Sequence, residues 1–443
     1  MNFDPTARSI AAFVITRVFR EEAFAAPVLD TALARYPEID PRERALATEI
    51  TYGALRTAPY LLAEIGRHAS RGIGQVDSEV RAHLIVAGYQ ILFLDRVPAF
   101  AAVSEAVRLI KQARGQKLGA FANAVLRRLS ENVPKDKAGS FTRAVVDSVA
   151  PWLKGALGRS LGDAGAAAFL TYSAPPPLCL RIRLGADRDG VIDRLSRSAP
   201  TGAVIEPGKI SPLAILIRGG GDPRRLAGYE QGDFVIHEEG AQLVALALGA
   251  RAGETVLDAC AGRGNKTSLL AEAVGPTGAV DAADLYEQKL DRLREDLATL
   301  RLSPRATFAV DWTAGRGGVK EGYDRVLVDA PCSGVGTLRR RPEIALRREQ
   351  EDLEAFARLQ LKILLAAAPL VRPGGTVVYA VCSVLREEAE NVVARATAEM
   401  PSLAAAAFPE GPARDLAGEH TSLRLLPQVH GTDGYFIACL QRK

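Results

Sequence analysis

Apolar residues recur at helical spacing from the start of the chain. Ile10, Phe13, Val14 and Val18 fall on one stripe, as do Val80, Leu84, Ala87 and Ile91. Pro98 and Gly115 separate the periodic stretches and Pro134 follows the last one. The pattern predicts an all-α unit over residues 1–134. Between residues 135 and 240 the period changes. Trp152 and Leu153 open a short helical stretch that Pro175-Pro176-Pro177 stops. Leu178, Leu180, Ile182 and Leu184 then alternate with Cys179, Arg181 and Arg183, the period-two sign of a strand. A helix near 189–197 and an apolar run at 213–217 complete a small α+β domain. From 241 to 443, short apolar strands at 255–257, 278–283, 308–310, 325–328 and 375–381 alternate with helical segments such as 268–273. That alternation predicts a parallel, doubly wound α/β sheet.

Composition narrows the class. A chain of 443 residues is too long for one ordinary core and implies about two to four domains. Its 48% hydrophobic and 24% charged residues are those of a soluble protein. No run approaches the roughly 20 apolar residues that span a bilayer. The start of the chain carries Asp4, Glu21 and Glu22 around an amphipathic stretch rather than a signal-peptide core. Cys179, Cys260, Cys332, Cys382 and Cys439 form no Cys-x-x-Cys pair, which argues against a zinc site or a disulfide framework. A cytoplasmic monomer with reduced thiols, no metal and no membrane contact is expected. Residues 1–150 hold 20 Lys and Arg against 16 Asp and Glu, while the rest of the chain balances at 36 each. The whole net charge of +4 thus lies in the first third, where it permits contact with nucleic acid.

Ligands of open α/β sheets bind where strands end and loops begin, and four polar clusters fall at such places. In Asp258-Ala-Cys-Ala-Gly-Arg-Gly-Asn-Lys-Thr267, Gly262 and Gly264 allow a sharp turn and close approach of a ligand before a helix. The spacing is not that of a P-loop. Asp284 ends the next strand, where it can accept ribose hydroxyls or cap the helix containing Leu290 and Leu293. Asp311 follows a third strand and can hold an adenine amine or merely end the strand. In this order the three clusters suit S-adenosylmethionine. The fourth cluster is Asp329-Ala-Pro-Cys-Ser333, with Cys382-Ser383 at a later strand end. Cysteines are commonly inert packing residues, but two of them at strand ends form a constellation.

Asp329-Ala-Pro-Cys-Ser333, Tyr379-Ala-Val-Cys-Ser383 and His430-Gly-Thr-Asp-Gly-Tyr-Phe436 resemble signatures of the RNA cytosine-5 methyltransferase family. The chain is similar in particular to the bacterial B type acting on small-subunit ribosomal RNA, whose catalytic domain follows a NusB-like helical domain. Glu49-Ile-Thr-Tyr-Gly-Ala-Leu-Arg56, Gly88-Tyr-Gln-Ile-Leu-Phe-Leu94 and Phe121-Ala-Asn-Ala-Val-Leu-Arg-Arg128 resemble that helical domain. The resemblance implies a NusB-like RNA-binding domain at 1–134, an α+β RNA-binding or linker domain at 135–240, and a Rossmann-like S-adenosylmethionine-dependent domain at 241–443. It implies that Cys260, Ala261, Gly262, Arg263, Gly264, Asn265, Lys266, Asp284, Asp311 and Asp329 line the cofactor pocket. It also implies that Cys382 is the nucleophile and Cys332 the release residue, with Asp329 and Lys266 beside them. Two departures stand out. Ala261-Gly-Arg-Gly-Asn-Lys266 replaces the usual Ala-Pro-Gly-Gly-Lys, with Asn265 the residue expected to tolerate left-handed backbone. Val381 replaces a threonine before the nucleophile.

The implied chemistry accounts for two thiols. Carbon 5 of cytosine is a poor nucleophile until a thiolate adds to carbon 6, which divides one hard step into easier ones. A second group must then remove the carbon 5 proton so that the first sulfur can leave. The target base must be single-stranded or flipped out, and Arg339-Arg340-Arg341 is placed to hold flanking phosphates. Two other readings compete. DNA cytosine methyltransferases attack with the cysteine of a Pro-Cys pair, which Pro331-Cys332 supplies, and carry Glu-Asn-Val. Glu390-Asn391-Val392 spells that tripeptide, but inside a predicted helix after Cys382. A non-catalytic RNA-binding factor would have no need of Cys332, Cys382, Asp329 and Lys266 together.

Overall fold

The computed structural model describes residues 5–69, 72–172 and 176–443, so Asp4 and Pro175 lie outside the described residues. The chain divides into two compact units. The first comprises Met1–Gly155, Asp163–Ser173 and Leu338–Arg348; the second comprises Ala156–Gly162, Ala174–Thr337 and Glu349–Lys443.

The first unit is helical, as the 3.6-residue period predicts. Its helices are α1 (Ala7–Glu21), α2 (Ala25–Arg35), α3 (Pro41–Arg56), α4 (Ala58–Arg67), α5 (Ser78–Phe93), α6 (Ala99–Arg114), α7 (Gln116–Ser130) and α8 (Lys137–Asp147). Local chemistry sets their starts. Thr6 and Ser9 form a capping box on α1, Asp40 caps α3 ahead of Pro41, and Asp77 caps α5. α5 is buried on nearly every side from Val80 to Phe93, which makes it the axis of the unit's core. The helix α9 (Pro151–Thr171) is longer than the short stretch expected, and it is broken at Gly162 (φ 71°, ψ 161°).

The segment Leu338–Arg348 is built into this unit, and it alters the expectation for the three arginines. Glu343 is fully buried, and its Oε1 accepts the Ala25 N–H (3.0 Å) at the start of α2, a helix without a cap of its own. Arg56 donates to the Arg339 carbonyl (2.7 Å), and Arg347, in the short α14 (Ile344–Arg347), donates to the Ala23 carbonyl. Arg339 is therefore buried and Arg340 half-buried. Arg341 alone of the three is exposed, and its guanidinium lies 5.5 Å from the centre of the Phe24 ring. The stretch is first a packed strap, because its backbone and Glu343 satisfy polar groups of α2 and α3.

The second unit holds two sheets. The smaller is antiparallel, in the order β2-β3-β1-β4, from β1 (Leu178–Ile182), β2 (Val204–Pro207), β3 (Ala214–Arg218) and β4 (Phe234–Ile236), with α10 (Arg188–Ser198) between β1 and β2. β2 and β4 were not legible as apolar runs. The alternation in β1 predicts one wet face, yet Arg181 is 1% exposed. Its guanidinium meets Glu272 (3.1 Å) and Ser268 (2.8 Å) on a helix of the larger sheet, so that face is covered.

The larger sheet runs β10-β12-β9-β8-β5-β6-β7, with β11 paired to β12. α11 (Glu239–Ala247) leads into β5 (Thr255–Asp258), α12 (Asn265–Val274), β6 (Ala279–Asp284), α13 (Glu287–Thr299), β7 (Ala306–Ala309) and β8 (Tyr323–Asp329). α15 (Gln350–Ala367), β9 (Val371–Val381), α16 (Glu390–Glu399), β10 (Leu403–Ala405), α17 (Pro412–Ala417), β11 (Ser422–Leu425), α18 (Pro427–His430) and β12 (Tyr435–Arg442) follow. β5 to β9 are parallel, in the Rossmann-like manner expected. β10, β11 and β12 are antiparallel additions that the wholly parallel expectation did not include. Leu327 packs on one face with α11 and α12, while Val326 and Val328 pack on the other with α15 and α16. Strand order reverses at β5 and β8, and the open crevice of such a sheet lies at the carboxyl ends of those strands.

The buried Arg181–Glu272 pair supplies a test of packing. Glu272→Ala leaves a buried guanidinium without its counter-charge and should cost about 3–5 kcal/mol in urea denaturation. Adding Arg181→Met should restore most of that loss. A double variant no more stable than Glu272→Ala would show that the pair is not the source of the effect.

Candidate active site

The turn after β5 builds the first wall of the site. Asp258 is buried; its Oδ2 accepts the Thr267 hydroxyl (2.7 Å), and its Oδ1 has no hydrogen-bond partner. Burial pushes its carboxyl up to about 6, against the Thr267 hydrogen bond and the charge of Lys266. Gly262 (φ 57°) and Gly264 (φ 86°) both take left-handed backbone, for different reasons. A Cβ on Gly264 would sit 2.7 Å from Leu293 and 2.8 Å from Leu297, so this glycine lets α12 pack on α13. A Cβ on Gly262 would meet nothing within 4 Å, so its backbone opens onto free space that a ligand can enter. Asn265 begins α12, and the left-handed cap is Gly264, so the expected left-handed role does not fall to Asn265.

The remaining predicted cofactor residues divide into two groups. Ala261 donates its N–H to the Ala283 carbonyl (2.8 Å), tying the turn to β6. Asp284 ends β6; one oxygen accepts the Gly262 N–H (3.0 Å) and the other the Tyr286 N–H (3.0 Å), with Lys289 at 3.3 Å. Tyr286, not Asp284, is the cap residue of α13. Cys260 lies within reach of three strand ends. Burial, followed by the charges of Asp258, Asp329 and Asp284, pushes its thiol well above the usual range, which makes it a poor nucleophile. Arg263 and Asp311 stand apart from this convergence. Arg263 is exposed and paired with Asp296 (3.1 Å). Asp311 is exposed two residues past β7, and Oδ1 accepts the Thr313 N–H and hydroxyl, which hold its carboxyl below the usual range.

The second wall comes from β8 and β9, which end in step, with Asp329 opposite Ala380. Lys266 Nζ lies 2.6 Å from Asp329 Oδ2. Burial works against the Lys266 charge, but Asp329 and then Asp258 more than offset it, and the amine stays cationic. Cys332 and Cys382, both half-buried and free, bring their sulfurs to 3.1 Å. The hydrogen bond to Cys382, and then burial, push the Cys332 thiol well above its usual range. Either thiol can be the donor in this sulfur–sulfur hydrogen bond. Cys179 and Cys439 are buried packing residues, as expected, and burial pushes Cys439 up to about 12.

A third loop locks this arrangement. The Gly336 N–H donates to the Cys382 carbonyl (3.0 Å), and the Gly434 N–H donates to the Gly336 carbonyl (2.8 Å). A Cβ on Gly336 would lie 2.0 Å from the Gly434 oxygen and 2.9 Å from the Cys382 oxygen. Gly434 belongs to the His430–Phe436 motif, whose place in the site is thus to close on the Cys332 loop. Two buried polar side chains escaped sequence reasoning. His237 has neither ring nitrogen hydrogen-bonded, and burial, with Lys266 nearby, pushes it well below its usual range. Glu388 is fully buried and bridges Ser333 and Ser383. In sequence it sits in Arg386-Glu387-Glu388, which reads as a solvated run; its spacing of six residues from Cys382 was the one available signal.

Comparison with known proteins places these features. Residues 245–441 match the model of the 16S rRNA methyltransferase RsmB/F family, and residues 5–131 match the NusB family. The chain is 31% identical to a probable ribosomal RNA small subunit methyltransferase B of Bacillus subtilis, over 99% of both chains. It is 32% identical to the ribosomal RNA small subunit methyltransferase B of Pseudomonas putida, over 92% of both. A solved structure described as PH0851 shares its fold across both whole chains, with a TM-score of 0.83 at 22% identity. The structure of NSun6 from Pyrococcus horikoshii with SFG covers 67% of this chain and 99% of its own, with a TM-score of 0.57 at 17% identity.

The crossing of the glycine loops predicts an asymmetry between two substitutions. Gly336→Ala forces backbone apart and should cost about 1–3 kcal/mol or more, measured by thermal or urea unfolding. Gly262→Ala bears only the left-handed strain, about 1–2 kcal/mol, into open space. A Gly336→Ala protein as stable as the unaltered chain would refute the tight crossing.

Proposed function

The chain belongs to the RsmB/F family of 16S rRNA methyltransferases, and on that premise we propose that it methylates carbon 5 of a cytosine in small-subunit ribosomal RNA through a covalent bond to Cys382. The observation that carries this reading is the 3.1 Å approach of the Cys332 and Cys382 sulfurs beside the Lys266–Asp329 pair.

S-adenosylmethionine suits the crevice. The open backbone at Gly262 and the acidic residues at successive strand ends supply a close approach and hydrogen-bond acceptors. Each oxygen of Asp284 accepts one backbone N–H and keeps capacity for a hydroxyl donor. Asp284 and the turn 260–266 would hold the cofactor, with Asp311 at the rim. When bound, it supplies an electrophilic methyl carbon on a sulfonium.

The chain's own groups do the rest. Cys382, its proton passed to solvent, adds to carbon 6 as the thiolate and moves the electron pair of the 5,6 double bond to carbon 5, which would then be able to accept the methyl group. Asp329, paired with Lys266, would accept from the pyrimidine edge and orient the ring toward Cys382. Cys332 then serves removal of the carbon 5 proton, as the base or through a water, and the released electron pair expels Cys382. The helical unit would add grip on the RNA. A groove between α6 and α7 is lined by the exposed Phe100 and by Arg108, Lys111 and Arg127, which would supply a base-stacking ring and cations for phosphates. A cytoplasmic enzyme acting as a monomer is consistent with this scheme.

The division of labour between the cysteines is testable. Cys382→Ala should abolish both methylation and any covalent RNA adduct. Cys332→Ala should attack and methylate once, then stall as a protein–RNA complex that survives a denaturing gel when S-adenosylmethionine is present. An adduct lost in Cys332→Ala and kept in Cys382→Ala would assign the attack to the Pro-Cys residue, as in the DNA enzymes, and overturn the proposal.

A further inference from the structure

The reaction scheme leaves several buried ionisable groups unused, and one of them, Glu388, touches both cysteine loops. Glu388 Oε1 accepts the Ser333 N–H (2.7 Å) and the Gln360 amide (3.0 Å). Oε2 accepts the Ser333 hydroxyl (2.5 Å) and the Ser383 hydroxyl (2.6 Å). Its peptide carbonyl accepts the Tyr379 hydroxyl (2.6 Å). A carboxylate with no exposure is costly to bury unless its lone pairs are met, and here four donors meet them.

The donors identify what is being held. Ser333 follows Cys332, and Ser383 follows Cys382. Gln360 also donates to the Pro331 carbonyl (3.0 Å), so Cys332 is gripped on both of its neighbours. The Tyr379 hydroxyl, whose one proton is shared with the nearer Glu388 carbonyl, lies 3.2 Å from the Gln360 amide oxygen. Two loops that are 50 residues apart in sequence are thus pinned to one carboxylate, one residue beyond each sulfur. Apolar packing would fill the space but would fix neither loop in direction, because dispersion is not directional while these four bonds are.

We propose that Glu388 is a positioning residue that sets the separation of Cys332 and Cys382, acting through Ser333 and Ser383. Its consequence for methyl transfer rests on the roles given to the cysteines above; the separation itself does not. An isosteric Gln keeps an acceptor for the Ser333 N–H but places an amino group against two hydroxyls that now donate, so both must turn and the loops lose their common anchor.

The test uses the full chain with Glu388→Gln, Ser383→Ala and the double variant. Diamide, taking two electrons and two protons, closes the Cys332–Cys382 pair to a disulfide; its rate is read by mass spectrometry without RNA or cofactor. Single-turnover adduct formation on RNA is read separately, with calorimetric S-adenosylmethionine affinity as the control. Glu388→Gln should slow both disulfide closure and adduct formation by about 10–100-fold, with cofactor affinity unchanged. Ser383→Ala should give a smaller loss and add little to Glu388→Gln, because both act through one contact. Closure and adduct formation at the unaltered rate in a folded Glu388→Gln protein would overturn the proposal, as would full additivity of the two substitutions. Should Glu388→Gln not fold, Ser383→Ala alone decides by the same two rates. If no protein, altered or not, forms an RNA adduct, the reaction scheme fails, and the closure rate still decides the role of Glu388.

Discussion

β8 and β9 are neighbouring parallel strands that end in step, with Asp329 opposite Ala380 and the Ala330 N–H bonded to the Ala380 carbonyl at 2.9 Å. The rest of the site depends on that shared ending. A sulfur on the loop after one strand and a sulfur at the tip of the next can meet only if both chains leave the sheet at the same level. Parallel pairing through an intervening helix is what brings residues 50 positions apart to a common edge. The antiparallel β12 then returns to that edge and delivers Gly434 against Gly336. Backbone crosses backbone there at a distance no Cβ would allow.

Charge is arranged around the same edge. Three aspartates end three of the strands, and the charge of Asp329 adds to burial in pushing the Asp258 carboxyl up. Lys266 offsets this from within, paired with Asp329 and acting on Asp258 as well. The result is a cation held among carboxylates, beside two sulfurs in contact with each other.

Much of the fold was legible in the pattern of the chain. The helical period of residues 7–130 and the apolar runs of β5, β6, β8 and β9 signal their elements through burial alone. β12 was not separable from a parallel sheet, because a strand buried on both faces has no alternation to show its partners' direction, and β10 and β11 are too short to stand out. β2 and β4 are too short to stand out. Cys332, Cys382, Asp329 and Lys266 were legible because their residue types are unusual at strand ends. Glu388 was not, because its burial comes from donors near in sequence only on one side, Ser383, and 55 residues away on the other, Ser333. The burial of Arg339 was not legible for a related reason: a basic run reads as exposed, whereas the strap that carries it is held by Glu343 and by backbone acceptors.

The central claim is that the sulfur of Cys382, and not that of Cys332, bonds to the base. RNA containing 5-fluorocytidine tests it on the unaltered chain, since fluorine in place of the carbon 5 proton blocks elimination and preserves the bond. After incubation with S-adenosylmethionine, proteolysis and mass spectrometry should find the modified nucleotide on the peptide containing Cys382. A nucleotide on the Cys332 peptide, or no covalent product from a protein that methylates unmodified RNA, would contradict the account.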